Sequence, residues 1–595
     1  MMIQERIKVL RKLMNEKKMD VYIVPTSDFH QTEYVGEYFK ARKFITGFSG
    51  SAGTAVITMN EAYLWTDGRY FIQAKNELEG TSVKLMKMGE PNYPTIEEYL
   101  DQALPENGIL GFDGRVVAMK EGQLYEKIVK NKNGKIVYKY DLIDEIWEDR
   151  PTLNTGKVFD LDIKYAGESV ESKLNRIRKV MNENNANIHV LTTLDDICWT
   201  LNIRGNDIKY FPLVLSYIII RMDKVGLYID ESKLSDNIKE KLSLNKVVLH
   251  SYNDIYEDIM RTKKDEVILL DPDKVNYALY NNIPKENKIV EKRNPQILFK
   301  AIKNDTEVKN MREAQIKDSI AHIKFMKWLK ENAKDLNITE ISACDKLYEF
   351  RKEQGNFIGP SFAPISSYGE HAAIVHYESS PETDVEIKEG NFYLTDTGGS
   401  YYEGSTDITR TYAIGKLTKE MKEHFTLVVI SNMNLTSAKF LKGVTGMNLD
   451  YVARKPFWDR GLNFNHGTGH GIGYLLNIHE GPTGFRWQAR DYESHPFEEN
   501  MIITNEPGIY IEGSYGIRLE NEILVKMDEK NEYGEFMKFE PITYIPMDLD
   551  AIIPEIMSEE DKKLLNDYHK LVFKKISPYL NSEETKWLER YTRKI

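Results

Sequence analysis

Five side chains in the C-terminal half of the chain, Asp396, Asp407, His470, Glu506 and Glu520, are of the types that bind divalent cations, and each stands beside glycine or at the end of an apolar run. A carboxylate at a strand end next to glycine can face a cleft on a rigid support, which an ordinary solvated aspartate does not need. Asn391-Phe-Tyr-Leu-Thr-Asp-Thr-Gly-Gly-Ser400 predicts a strand that breaks at the double glycine, and Ser405-Thr-Asp-Ile-Thr-Arg-Thr-Tyr412 predicts its antiparallel return. Asp396 and Asp407 are then expected across from one another, where two carboxylates repel unless a cation or a shared proton lies between them. Taken alone, two solvated strand-end aspartates explain that pair better.

His466-Gly-Thr-Gly-His-Gly-Ile-Gly473 is harder to dismiss, because four glycines in eight residues exclude a stable helix and with it the helical pair of zinc-binding histidines. A phosphate loop is the competing idea, yet no Lys-Ser/Thr follows, and imidazole adds nothing to an amide cradle. His479 follows a few residues on. Met501-Ile-Ile-Thr-Asn505 predicts a strand ending at Glu506-Pro-Gly508, and Gly516-Ile-Arg-Leu-Glu-Asn-Glu-Ile-Leu-Val525 predicts one whose alternation places Arg518 and Glu520 on one face. Arg518 there could set the position of Glu520 or pair with a substrate; a surface ion pair explains it equally well. Four carboxylates and one imidazole, with no sulfur, suit two hard or borderline divalent ions, Mn²⁺, Co²⁺ or Zn²⁺. Two such ions can share a water and orient it toward a carbonyl, so the natural chemistry is hydrolysis.

A chain of 595 residues is too long for one core and predicts several domains. Arg11-Lys-Leu-Met-Asn-Glu-Lys-Lys-Met-Asp20 recurs as Arg178-Lys-Val-Met-Asn-Glu-Asn-Asn-Ala-Asn187, each time a helical pattern running into an apolar strand-like stretch, Val21 to Val24 and Ile188 to Leu191. Two related α/β domains in tandem are expected, at 1–154 and 155–308, followed by a third domain at 309–595 that carries the histidines and carboxylates. Asn304-Asp-Thr-Glu307 reads as a capping sequence opening a long helix, and the residues from Ser558 onward as a surface helix pair with no chemistry. Net charge is −12 with no arginine-dense stretch, which speaks against nucleic acid. Cys198 and Cys344, far apart in the chain, suggest buried thiols in a reducing compartment. The N-terminal stretch lacks the apolar run of a secretion signal, and Tyr210 to Ile220 is too short to span a bilayer, so a cytoplasmic protein without membrane partners is expected.

The order of Asp396, Asp407, His470, Glu506 and Glu520 resembles that of the pita-bread metallopeptidases, which include methionine aminopeptidase, prolidase and the Xaa-Pro aminopeptidases. The likeness is greatest to the three-domain cytosolic Xaa-Pro aminopeptidases (aminopeptidase P), through Tyr22-Ile-Val-Pro-Thr26, Gly47-Phe-Ser-Gly-Ser-Ala-Gly-Thr-Ala55, Trp65-Thr-Asp-Gly-Arg-Tyr70, Ala373-Ile-Val-His-Tyr377, His466-Gly-Thr-Gly-His470 and Asn505-Glu-Pro-Gly508. The resemblance implies two creatinase-N-like domains before a pita-bread domain, and two ions, manganese foremost, with Asp396 on one ion, Asp407 and Glu520 bridging, and His470 and Glu506 on the other. It matches His376 and His479 to the family's non-ligand histidines and Arg69 to its peptide-contacting arginine. The expectation is then that His376, His479 and Glu506 are catalytic, that Arg69, His376, His470, His479 and Arg518 contact the peptide, and that a dimetal-bridging hydroxide cleaves the Xaa-Pro bond at the N-terminus. It also implies a homodimer. The alternatives are an Xaa-Pro dipeptidase (prolidase) and a non-catalytic pita-bread binding module. His371 has no counterpart in that pattern, and neither it nor His466 receives a role.

Overall fold

The computed structural model describes residues 2–595. The chain divides into two compact units, one formed by the residues up to Asp160 with Ser169–Gln296, the other by Leu161–Glu168 with Ile297–Ile595.

The first unit holds the tandem pair that the sequence echo predicts. Helix Ile3–Glu16 buries Ile7, Leu10 and Met14 on one face, and helix Val170–Glu183 buries Leu174, Ile177 and Met181 at the same spacing. Each helix leads into a fully buried strand, Val21–Pro25 or Ile188–Leu191. Around the first of these the strand order is Lys84–Lys87, Ala62–Thr66, Thr54–Thr58, Val21–Pro25, Ile109–Phe112, Lys135–Val137. Around the second it is Val247–His250, Val225–Ile229, Ser216–Arg221, Ile188–Leu191, Val267–Leu270, Lys288–Glu291. Corresponding pairs run in the same sense: the central strand is antiparallel to one neighbour and parallel to the other in both sheets. The two are therefore α/β domains of one topology.

His30 ties these domains together. Its Nδ1–H donates to the carbonyl of Thr192 at 2.8 Å, and its Nε2 accepts from the Tyr252 hydroxyl at 2.6 Å. The ring is buried, so it is held neutral, with its pKa pushed down to about 4.

In the second unit, Asn304 caps helix Asp305–Asn332 through a capping box with Glu307, as expected. Strand Asn391–Thr397 is the middle of a three-stranded antiparallel sheet between Ile365–Tyr368 and Ile408–Ile414. A six-stranded antiparallel sheet runs in the order Lys439–Leu441, Gly534–Pro541, Asn521–Asn531, Ile502–Asn505, Gly469–Ile472, His479–Phe485. Helices Lys419–Thr436 and Gly446–Trp458 pack beside the sheets, with Phe425, Val429, Phe457, Phe392, Tyr412 and Ile517 in one core. The C-terminal helices are not the surface pair expected from their charge. Helix Glu559–Ile576 sends Tyr568 and His569 into the interior, where the Tyr568 hydroxyl donates to Asn521 Oδ1 and to the carbonyl of Ile545. Period alone could not distinguish a solvated face from one that covers a buried polar network.

The buried neutral His30 generates a test. Unfolded histidine gains a proton below pH ~6.5, whereas the folded ring gains it only near pH 4, so stability present above pH 6.5 is lost as pH falls through that window, at about 1.4 kcal/mol per pH unit. His30→Gln should flatten the fall in unfolding free energy of this unit by about that slope in urea titrations between pH 6.5 and 4. An unchanged slope contradicts a neutral ring in the fold.

Candidate metal centre

Asp396 lies near the end of its strand, opposite Thr409 rather than opposite Asp407. The expectation of a face-to-face pair is corrected by this register: Asp407 stands two residues before Thr409 and is diagonal to Asp396 on the same side of the sheet. Between the two aspartates the chain forms a small hairpin, Gly399–Tyr401 with Gly404–Ser405, and only glycine fits at 398, where a Cβ would meet the carbonyl of Thr406 at 1.8 Å.

The glycine-rich segment becomes strand Gly469–Ile472, and its glycines have a steric cause. A Cβ on residue 469 would sit 1.9 Å from the carbonyl of Thr504, and one on residue 471 would sit 2.3 Å from that of Glu480. The strand therefore lies tightly between its two neighbours and presents His470 toward the carboxylates. His470 Nε2 is 3.4 Å from Asp407 Oδ2 and 3.6 Å from Glu506 Oε1, and its ring meets His479 edge-on at 4.2 Å between centroids. Burial alone would depress the imidazole, but the hydrogen bond to Asp407 and the charge of Glu506 outweigh it and raise its pKa to about 9.

Glu506 follows strand Ile502–Asn505 directly, its backbone N–H donating to the carbonyl of Thr468 at 2.8 Å. The single strand expected over 516–525 is in fact broken: Tyr515–Arg518 pairs with Gly508–Ile511, Asn521–Asn531 belongs to the large sheet, and Glu520 sits in the crossover. That break joins the sheets, because the N–H of Glu520 donates to the carbonyl of Thr409 at 3.0 Å and its Oε2 accepts from the Thr409 hydroxyl at 2.7 Å. Arg518 reaches Glu520 only through Thr409, whose hydroxyl accepts from Arg518 Nε at 3.4 Å and donates to Glu520. Its Nη2 meets Asp396 Oδ2 at 2.6 Å and its Nη1 meets the Tyr510 hydroxyl at 2.8 Å, and the side chain is 1 % exposed. His466 completes that chain, accepting from Tyr510 at 2.8 Å through Nε2 and donating through Nδ1 to the carbonyl of Gly467. Burial, and then the charge of Arg518, hold His466 well below its usual pKa.

The residues fit cations. Donor atoms of Asp407, His470 and Glu520 lie within 4.8 Å of one another, and Asp396 Oδ1 is buried with no hydrogen-bond partner. Burial and the neighbouring Asp407 raise Glu520 well above the carboxylate range, while burial above all raises Asp396 and Glu506. A cluster that resists its own ionisation is what oxygen ligands look like before a cation neutralises them.

Of the remaining expected residues, His376 follows the 3-10 turn Gly369–Ala373 on a segment whose Val375 carbonyl accepts from Arg518 Nη2 at 3.4 Å, and its charge disfavours protonation of His466. Arg69 belongs to the first unit, where its Nε and Nη2 grip Asp67 at 2.8 Å on the wall of a cavity of about 340 Å³. Sequence reasoning missed Glu522, whose Oε1 accepts from the N–H of Asp407 at 2.9 Å, and Arg410, whose Nη1 donates to the carbonyl of Glu520 at 2.5 Å. Each is a charge inside an apolar strand, which is the signal that could have found it. It also missed Arg454, which donates to the carbonyls of Phe464 and His466 and anchors the glycine-rich segment.

The Creatinase/Prolidase N-terminal domain family matches residues 6–146 and again 149–307, metallopeptidase family M24 matches 309–527, and the C-terminal region of the M24 peptidases matches 535–595. Xaa-Pro aminopeptidase 1 of Dictyostelium discoideum is 36 % identical over 612 residues, covering 100 % of this chain and 97 % of its own. The crystal structure of X-prolyl aminopeptidase from Caenorhabditis elegans, described as a cytosolic enzyme with a di-nuclear active site, superposes with a TM-score of 0.95 at 34 % identity over 100 % of both chains. The Xaa-Pro dipeptidase of Bacillus anthracis, 25 % identical with a TM-score of 0.52, covers 99 % of itself but 64 % of this chain. With two creatinase-N domains, an M24 domain and full-length likeness to these enzymes, the chain belongs to the Xaa-Pro aminopeptidases of metallopeptidase family M24.

Proposed function

We propose that this chain removes the N-terminal residue from peptides with proline in second position, using two divalent cations held by Asp396, Asp407, His470, Glu506 and Glu520. The observation that carries this reading is the convergence of Asp407, His470 and Glu520 beside the partnerless Oδ1 of Asp396, in a chain of this family. Asp396 would hold one ion, Asp407 and Glu520 would be shared between the two, and His470 with Glu506 would complete the other. Oxygen and nitrogen donors without sulfur suit manganese, with cobalt and zinc chemically admissible. Domain limits at 1–154, 155–308 and 309–595 go with this assignment.

When bound, the cations supply charge that makes a water acidic enough to attack at neutral pH and that polarises the scissile carbonyl. Glu506 takes the proton of that water and passes it to the proline nitrogen as the amide breaks. His376 donates to the developing oxyanion, and His479, edge-on to His470, holds the peptide beyond the cut. Arg518 aims Asp396 and offsets part of the rise that burial gives its pKa. The amide before proline has no N–H to grip and a ring that fixes φ, so recognition rests on a shaped pocket and on the carbonyl. Arg69 is assigned to the peptide on family likeness. Likeness over the whole length favours the aminopeptidase over the shorter dipeptidases.

A homodimer is supported by one surface. Met447, Tyr451 and Trp458 share a stripe of helix Gly446–Trp458, Trp487 meets Trp458 edge-on at 6.4 Å, and Tyr451, Trp458 and Trp487 are 52, 42 and 51 % exposed. A cytoplasmic location is supported by the cytosolic neighbour; among the described residues no helix is long and apolar enough to cross a membrane.

Three outcomes are expected. Chelation should abolish cleavage of an Ala-Pro-initiated pentapeptide and manganese should restore it, with the Ala-Ala counterpart cut roughly 100-fold more slowly; cleavage of the Ala-Pro dipeptide alone contradicts the aminopeptidase reading. Glu520→Gln should raise the Tm of the chelated protein by about 2–4 °C, because it removes the cost of burying a carboxyl group beside other carboxylates, and should remove the gain in Tm that manganese gives the parent. A lower Tm with the manganese response intact contradicts its place in the cation site. Trp458→Glu should convert a dimer to a monomer by light scattering, and an unchanged mass excludes that face.

A further inference from the structure

Glu340 opens helix Glu340–Lys352 and is completely buried. Its Oε1 accepts from the N–H of Tyr368 at 2.6 Å and from Nδ1 of His371 at 2.9 Å, and its Oε2 accepts from the hydroxyl of Tyr377 at 3.1 Å. The His371 ring stacks on that of Tyr377, with centroids 4.4 Å apart and planes at 24°. Two successive backbone turns connect them: Ile374 N–H donates to the carbonyl of His371, and Tyr377 N–H donates to the carbonyl of Ile374, each at 3.0 Å. Both ends of the segment 371–377 are thus fixed on one carboxylate, with His376 between them.

The other side of the segment is equally constrained. A Cβ on Gly516 would lie 1.7 Å from the carbonyl of Ala372, so strand Tyr515–Arg518 and the turn are in direct backbone contact, and Arg518 reaches the carbonyl of Val375. The segment begins at strand Ile365–Tyr368, which pairs with the strand of Asp396. A buried carboxylate needs donors on both oxygens, and here the donors come from the two ends of one turn. Removing one frees that end of the turn.

We propose that His371 is a positioning residue for the reaction: by donating to buried Glu340 and stacking on Tyr377 it fixes the turn that aims His376 at the reacting carbonyl. This rests on the reading of His376 as the oxyanion donor, and the test separates the two. In the manganese-loaded full chain, His371→Ala should lower kcat roughly 10- to 100-fold, the cost of misplacing a catalytic group by about 1 Å, with KM and metal content changed less than about twofold. His371→Gln, whose amide can still donate to Glu340, should recover kcat to within about threefold of the parent. In a His376→Ala background, His371→Ala should cause no further loss, because it acts through the missing group. A parental kcat in His371→Ala, or losses that multiply in the double variant, overturns the proposal. A silent His376→Ala overturns the reading of His376 and, with it, this one. If His371→Ala does not fold, Tyr377→Phe, which keeps the stack and removes one donor to Glu340, carries the same test with the same outcomes.

Discussion

Four carboxylates, Asp396, Asp407, Glu506 and Glu520, crowd into one largely dehydrated region, and the cost of burying them, with their mutual repulsion added, is the constraint around which the second unit is built. Two cationic groups of the chain reach them: Arg518 against Asp396, and His470 between Asp407 and Glu506. A cation on the His470 nitrogen would displace the proton that its raised pKa favours, so that compensation would then fall to the metal. Divalent charge would offset the cost of burial, and it is the charge that hydrolysis at such a site requires.

Holding like charges together demands rigid backbone, and the unit supplies it by joining two sheets at the site. The N–H of Glu520 bonds to Thr409 across the junction, Asn432 donates to the carbonyls of both Asn505 and Leu519, and Arg410 ties the carbonyl of Glu520 to Asn521, Ile545 and Tyr568. Asp318 and Arg351 do the same for the aspartate hairpin, through the Thr406 hydroxyl and the carbonyl of Thr397. The candidate ligands come from different strand ends, yet buried polar side chains fix the backbone at or close to them, as the Thr504 hydroxyl does for the N–H of His470.

Much of this was legible in the sequence. The five ligand candidates announced themselves as charges or imidazoles at glycine-flanked strand ends, and the helix-to-strand echo at 11–20 and 178–187 announced two domains of one topology. Register was not legible: a two-residue shift of pairing, which leaves every side chain on its face, decides whether Asp407 faces Asp396 or lies diagonal to it, and apolar alternation does not fix that near a glycine break. The crossover at Glu520 was hidden because residues on either side alternate as one strand would. Arg518, Arg410, Glu522 and Glu340 act through partners far away in the chain, 122 residues for Arg518 and Asp396, and no local pattern names such a partner.

The central claim is that these five groups enclose two cations. Anomalous diffraction at the manganese edge from crystals soaked in manganese tests it most directly. The account predicts two peaks about 3.5–4 Å apart, both within ligand distance of Asp407 and Glu520, with His470 on one side and Asp396 on the other. A map without peaks among these side chains, or with manganese bound only elsewhere, would contradict it.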